Sequence, residues 1–234
     1  MKKTFTVLAL LCAVILQAAA AVKPEFADSK TIVCGNRKIS FAQDGTLSIS
    51  NPDKEIVSIK LQHVFLNSDT KKPDWITTTP ALCKVRQEGN KVVWELWKKH
   101  ELHTWKIADQ TLEILADGTL ELSAQVYNPD TQKLTPRQPF ASYFILMPVQ
   151  GNEGKKIVFN GKEITLNANT KPCTAWRGKY VFNLFPDNPE ENIIFRNKNV
   201  YQAGMLITSG KHRISYHFQK DGKCSVIIDL AGQK

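Results

Sequence analysis

Five dipeptides punctuate this 234-residue chain: Asp44-Gly45, Gly89-Asn90, Asp117-Gly118, Asn160-Gly161 and Asp221-Gly222. Each is flanked by alternating or β-branched residues. Gly, Asn and Asp tolerate the positive φ that tight hairpin turns demand, so each dipeptide predicts two antiparallel strands joined locally. No long segment has helical periodicity; Pro186 to Asn192 holds at most one short turn.

The runs between the turns have period two. In 91–98, Val92, Trp94 and Leu96 share one face, and Val93, Glu95 and Trp97 the other. In 119–127, Leu120, Leu122, Ala124 and Val126 alternate with Glu121, Ser123, Gln125 and Tyr127. Such alternation marks a strand with one face in the core. Val57, Ile59, Leu61, His63 and Phe65 also share a face, which places His63 in the core. Phe140 to Met147 is apolar on both faces and predicts a central strand. The count comes to roughly 13 to 16 short strands, more than the seven to nine of an immunoglobulin-like domain. The expected fold is all-β: one large antiparallel two-sheet β-sandwich. The longest loops are expected at 71–80, at Lys171–Arg177 and at Phe185–Glu191. Asp44 to Ile49 echoes Asp117 to Leu122, as any hairpin turn leading into a strand would.

The first 21 residues have the parts of a signal peptide. Lys2 and Lys3 form the basic n-region, Leu8 to Leu16 the apolar h-region, and Ala18 to Ala21 the small-residue cleavage site. The apolar run is shorter than the roughly 20 residues that cross a bilayer. The expectation is therefore export to the periplasm or medium, a mature domain over 22–234, and no transmembrane segment after cleavage. The formal charge of +9 is scattered rather than gathered into a stripe, which argues against nucleic acid.

Cys34, Cys83, Cys173 and Cys224 follow the leader without CxxC spacing, so no metal site and no cofactor is expected. An oxidising compartment permits two bridges in three connectivities, with four free thiols as the alternative. If bridges form, Cys34 pairs with Cys224, because both lie near chain ends that are often close in space. Cys83 then pairs with Cys173.

Trp105-Lys106-Ile107, Leu112 to Leu115, the Asp117-Gly118 turn, strand 119–127, Pro136-Arg137 and Phe140 to Pro148 form an ordered series. This series resembles the central strands of galactose-mutarotase-like β-supersandwich domains, such as the terminal domain of large β-galactosidases. The resemblance covers residues 103–148. It implies a supersandwich and an association with carbohydrate. For a mutarotase-like enzyme it implies two histidines and a carboxylate, for which His100, His103 and Glu101 are the candidates. His217 alternates with Arg213 and Ser215 and is expected at the surface.

No hydrolase, zincin, P-loop or dinucleotide motif occurs. The tryptophans are more suggestive. Trp94 and Trp105 read as core. Trp97 falls on a polar strand face, and Trp75 and Trp176 fall in expected loops, the latter beside Arg177. An exposed indole stacks on a pyranose while nearby polar groups bind hydroxyls. Trp75, Trp97, Trp176 and Arg177 are therefore the expected ligand patch of a secreted, non-catalytic carbohydrate-binding or carbohydrate-enzyme-associated sandwich. The alternatives are a sugar-active enzyme, mutarotase-like or a lyase fragment, and an envelope domain that binds another protein.

Overall fold

The computed structural model describes residues 23–67, 70–100, 103–127, 134–176 and 178–230. The expected signal peptide, Glu101 and Arg177 lie outside the described residues, as do the side chains of Trp75, His100, His103 and Trp176.

The strands are, in order, β1 (Glu25–Asp28), β2 (Thr31–Cys34), β3 (Arg37–Phe41), β4 (Leu47–Ser50), β5 (Glu55–Asn67), β6 (Pro73–Ile76), β7 (Lys84–Glu88), β8 (Lys91–His100), β9 (His103–Ile114) and β10 (Leu120–Val126). There follow β11 (Leu134–Pro148), β12 (Lys156–Phe159), β13 (Lys162–Thr165), β14 (Cys173–Trp176), β15 (Val181–Leu184), β16 (Ile193–Asn199), β17 (Gln202–Thr208), β18 (Lys211–His217) and β19 (Lys223–Asp229). Among the described residues the helical content is one 3-10 turn at Pro80–Leu82. The first sheet runs β1-β2-β3-β4-β5-β11-β18-β17-β14, with β6 also on β5. The second runs β13-β12-β15-β16-β19-β10-β9-β8-β7. All pairings are antiparallel, and the expected two-sheet sandwich is what forms.

The strand number exceeds the expectation because several short strands lack an alternating pattern. Two of them carry candidate residues. Trp75 lies in β6, opposite Val64, and Trp176 lies in β14, opposite Gln202, so both belong to strands rather than loops. What makes them strands is the free edge of β5 or β17, not their own sequence.

Four of the five turn dipeptides hold hairpins; Asp221-Gly222 instead turns the chain from β18, in the first sheet, to β19, in the second. Asn160 and Gly161 both have positive φ, 49° and 83°, as a two-residue hairpin turn requires. Three other turns are built alike. In Ala42–Thr46, Leu115–Thr119 and Gln219–Lys223, the first N–H bonds the fifth C=O and the Gly N–H bonds the first C=O. In each, the Asp carboxylate accepts the N–H two residues on, at 3.0 Å.

The inner faces meet in one apolar core. Ile59, Tyr143, Ile145 and Tyr216 of the first sheet face Leu122, Phe195, Val226 and Ile228 of the second. Aromatic rings cross between sheets: Phe41 meets Trp94 edge-on at 5.5 Å, and Phe182 meets Tyr216 at 5.9 Å. The 42–46 turn closes one end of the core. The buried Trp94 indole N–H donates to Ala42 O at 2.9 Å, and the buried Gln110 amide to Gly45 O at 2.8 Å. His63 is buried in the first sheet, as expected, and burial pushes its pKa down to about 3.

The expected disulfides do not form. All four cysteines are free, and no pair lies at bridging distance. Cys34 lies on the first sheet within electrostatic reach of Asp229, on β19. Cys224 is five residues along that same strand, roughly 17 Å away at the rise of an extended chain. A bridge needs Cα atoms roughly 4.4–6.8 Å apart. The Cys83 thiol is instead bonded to Thr79 O at 3.4 Å and accepts the Trp97 N–H at 3.4 Å, beside the second sheet. Cys173 stands in β14, at the edge of the first.

Candidate ligand-binding face

The outer face of the second sheet carries an open, polar depression. Along β10 every second residue turns inward and is buried, leaving Glu121, Ser123 and Gln125 half-buried outside. Register then aligns short polar side chains across four strands: Thr111 on β9, Ser123 on β10, Ser225 on β19 and Asn199 on β16. At roughly 4.8 Å between strands this row is roughly 14 Å long. Longer side chains flank it, with Asp109, Gln125 and Lys223 on one side and Glu113, Glu121 and Arg196 on the other. Over this floor and its Asp109–Gln125–Lys223 flank lies a shallow groove of about 330 Å³.

Two bulges shape the walls. In β9 two residues advance where β8 advances one, between the pairs Leu96–Ala108 and Trp97–Lys106. The extra residue lets Ile107 and Ala108 both be buried, and puts Lys106 and Asp109 on one face. The Lys106 ammonium lies 2.5 Å from Asp109 Oδ1. In β16 the register slips between Asn197 and Asn199. Lys198, the residue between them, reaches Glu121 at 2.8 Å.

Glu121 also accepts the Ser225 hydroxyl at 2.5 Å. Burial pushes its pKa up, but the bonds from Lys198 and Ser225 outweigh burial and hold it below the ordinary carboxylate range. Asp109 accepts a second bond, from the Tyr127 hydroxyl, at 2.7 Å. That bond, with burial behind it, pushes the phenol up to about 12. Tyr127 is 37% exposed. It is pinned by its hydroxyl, by its backbone N–H to Ile107 O at 2.7 Å and by the Lys106 ammonium 5.8 Å from its ring. A fixed aromatic face thus stands beside hydroxyls, amides and ion-paired carboxylates. Such groups donate and accept hydrogen bonds, and Glu121, held below the ordinary carboxylate range, is a poor proton donor.

The first sheet has a comparable row on its outer face: Gln62, Ser142, His217 and Gln202, on four neighbouring strands. This row is more closed, for Ser142 is 2% and Gln202 7% exposed while Gln62 and His217 are half-buried. The Ser142 hydroxyl and His217 Nδ1 are 2.6 Å apart, and the Arg213 guanidinium lies 4.3 Å over the Phe144 ring. His217 is thus half-buried rather than exposed as expected. Burial, and then the charge of Arg213, push its pKa down to about 4.

The sequence-predicted residues are not gathered in one place. Trp75 and Trp176 belong to the first sheet, while the half-buried Trp97 stands opposite Lys106 in the second. His100 and His103 are backbone register partners where β8 meets β9. Sequence reasoning missed Tyr127 as a candidate, although its signal was legible: an aromatic residue ending the polar face of an alternating strand. Thr111, Asn199, Lys223 and Ser225 gave no such signal. No protein-family model matches this chain, and no curated protein matches it.

Proposed function

We propose that the chain is a non-catalytic carbohydrate-binding β-sandwich whose ligand lies across β9, β10, β19 and β16. The observation that carries this reading is the exposed, pinned Tyr127 beside a row of hydroxyl and amide side chains. Saccharides present the complementary surface, apolar ring faces bordered by hydroxyl groups. The exported location expected from the leader fits an encounter with polymeric glycans.

A glycan array on the purified protein tests the reading, followed by titration of the best ligand against two variants. Ser123→Arg fills the groove floor and is expected to abolish binding without lowering the melting temperature. Trp176→Ala is expected to leave affinity unchanged. If Trp176→Ala loses binding and Ser123→Arg keeps it, the ligand lies on the first sheet. If the array is blank, the carbohydrate reading falls and the envelope-partner reading takes its place. Turnover of a sugar that stops in His103→Ala would instead support the mutarotase-like enzyme.

A further inference from the structure

The charges around the groove are not equally committed. Asp109 is neutralised by Lys106, Glu121 by Lys198, and Arg196 by Asp229 at 2.7 Å. Lys223 differs. It is exposed, stands opposite Gln125 in the Asp109–Gln125–Lys223 wall, and pairs with no carboxylate among the described residues. Asp221, the nearest acid in sequence, spends its carboxylate on the turn, accepting the Lys223 N–H at 3.0 Å. The groove therefore presents neutral hydrogen-bonding groups and one uncommitted cation, with the Tyr127 ring held beside its Asp109 flank. The +9 charge of the whole chain biases the surface the same way.

We infer that the groove takes an acidic saccharide, one that seats a carboxylate or sulfate against the Lys223 ammonium. This inference rests on the carbohydrate reading above and deepens it. A neutral glycan fills the hydroxyl row and leaves the ammonium to water. An acidic one adds a charge-assisted hydrogen bond, the stronger kind.

The test is binding of the full chain to polygalacturonate, dextran sulfate and dextran, with Lys223→Gln, Lys223→Arg and, as a control, Lys211→Gln. Lys211 is an exposed lysine on β18 of the other sheet. One or both anionic polymers are expected to bind about tenfold or more tighter than dextran. The polymer preferred tells carboxylate from sulfate. Lys223→Gln is expected to remove that advantage, and Lys223→Arg and Lys211→Gln to keep it, all with unchanged melting temperatures. If Lys211→Gln weakens binding as much as Lys223→Gln, the attraction is diffuse charge and the inference is overturned. Equal binding of dextran also overturns it but leaves the carbohydrate reading standing. Failure of all three polymers together with a blank glycan array removes both.

Discussion

The outer faces of the two sheets are built by the same alternation and end in opposite states. On the first, Ser142, Phe144, Gln202 and Ser215 point away from the sandwich core and are nonetheless buried. On the second, Thr111, Ser123 and Gln125 occupy equivalent outward positions and stay partly exposed. The polar groups differ accordingly. On the first face Ser142 is satisfied by His217, whereas the second leaves Thr111, Ser123 and Asn199 partly exposed and Lys223 exposed. An outward-facing residue is thus not a surface residue by virtue of strand parity alone, and the face that remains wet is the one fit to exchange water for a ligand.

The sharpest way to break this contrast is truncation. Phe144→Ala on the closed face is expected to cost about 3–5 kcal/mol, as for an interior aromatic, read by denaturant unfolding. A cost within about 0.5 kcal/mol, normal for a surface change, would show that face to be open.

Acid comes next. The pKa values of His63 and His217 are about 3 and about 4 when folded, below the ordinary value of roughly 6.5 in the unfolded chain. Below pH 6.5 the unfolded state therefore binds protons that the folded state refuses. Stability is expected to be flat above that pH and to fall toward pH 4 by about 1.4 kcal/mol per unit for each histidine. His217→Gln should remove about half of the slope. Its persistence in full would mean that His217 meets solvent.

The smallest expected effect is on the open face. Ser123→Ala should change stability by less than about 0.5 kcal/mol, because that hydroxyl faces water in the free protein. A larger loss would make the groove part of the fold's own hydrogen bonding.

What was legible in the sequence follows from range. The hairpin at Asn160-Gly161 was readable because a positive φ selects residues on the spot, and β10 because burial on one side imposes period two. Trp75 and Trp176 were misplaced in loops because β6 and β14 owe their extended form to the edges of β5 and β17. The half-burial of His217 was not legible because alternation reports which way a side chain points, not what lies over it. The groove was illegible for a related reason: Thr111, Ser123, Asn199 and Ser225 become neighbours through register alone.

Two of the like-built turns, 42–46 between β3 and β4 and 115–119 between β9 and β10, join hairpins, and this has a kinetic consequence. Each encodes its hydrogen bonds within five residues, so the hairpins they join can form in about 1–10 μs, as isolated hairpins do. The central pairings β5–β11 and β11–β18 join segments far apart in sequence and bear the entropy of closing long loops. Refolding should then show early hairpin structure followed by a slow step in which β11 docks between β5 and β18. Changes in these two turns would alter the early phase, and changes in β11 the rate at which the native sandwich appears.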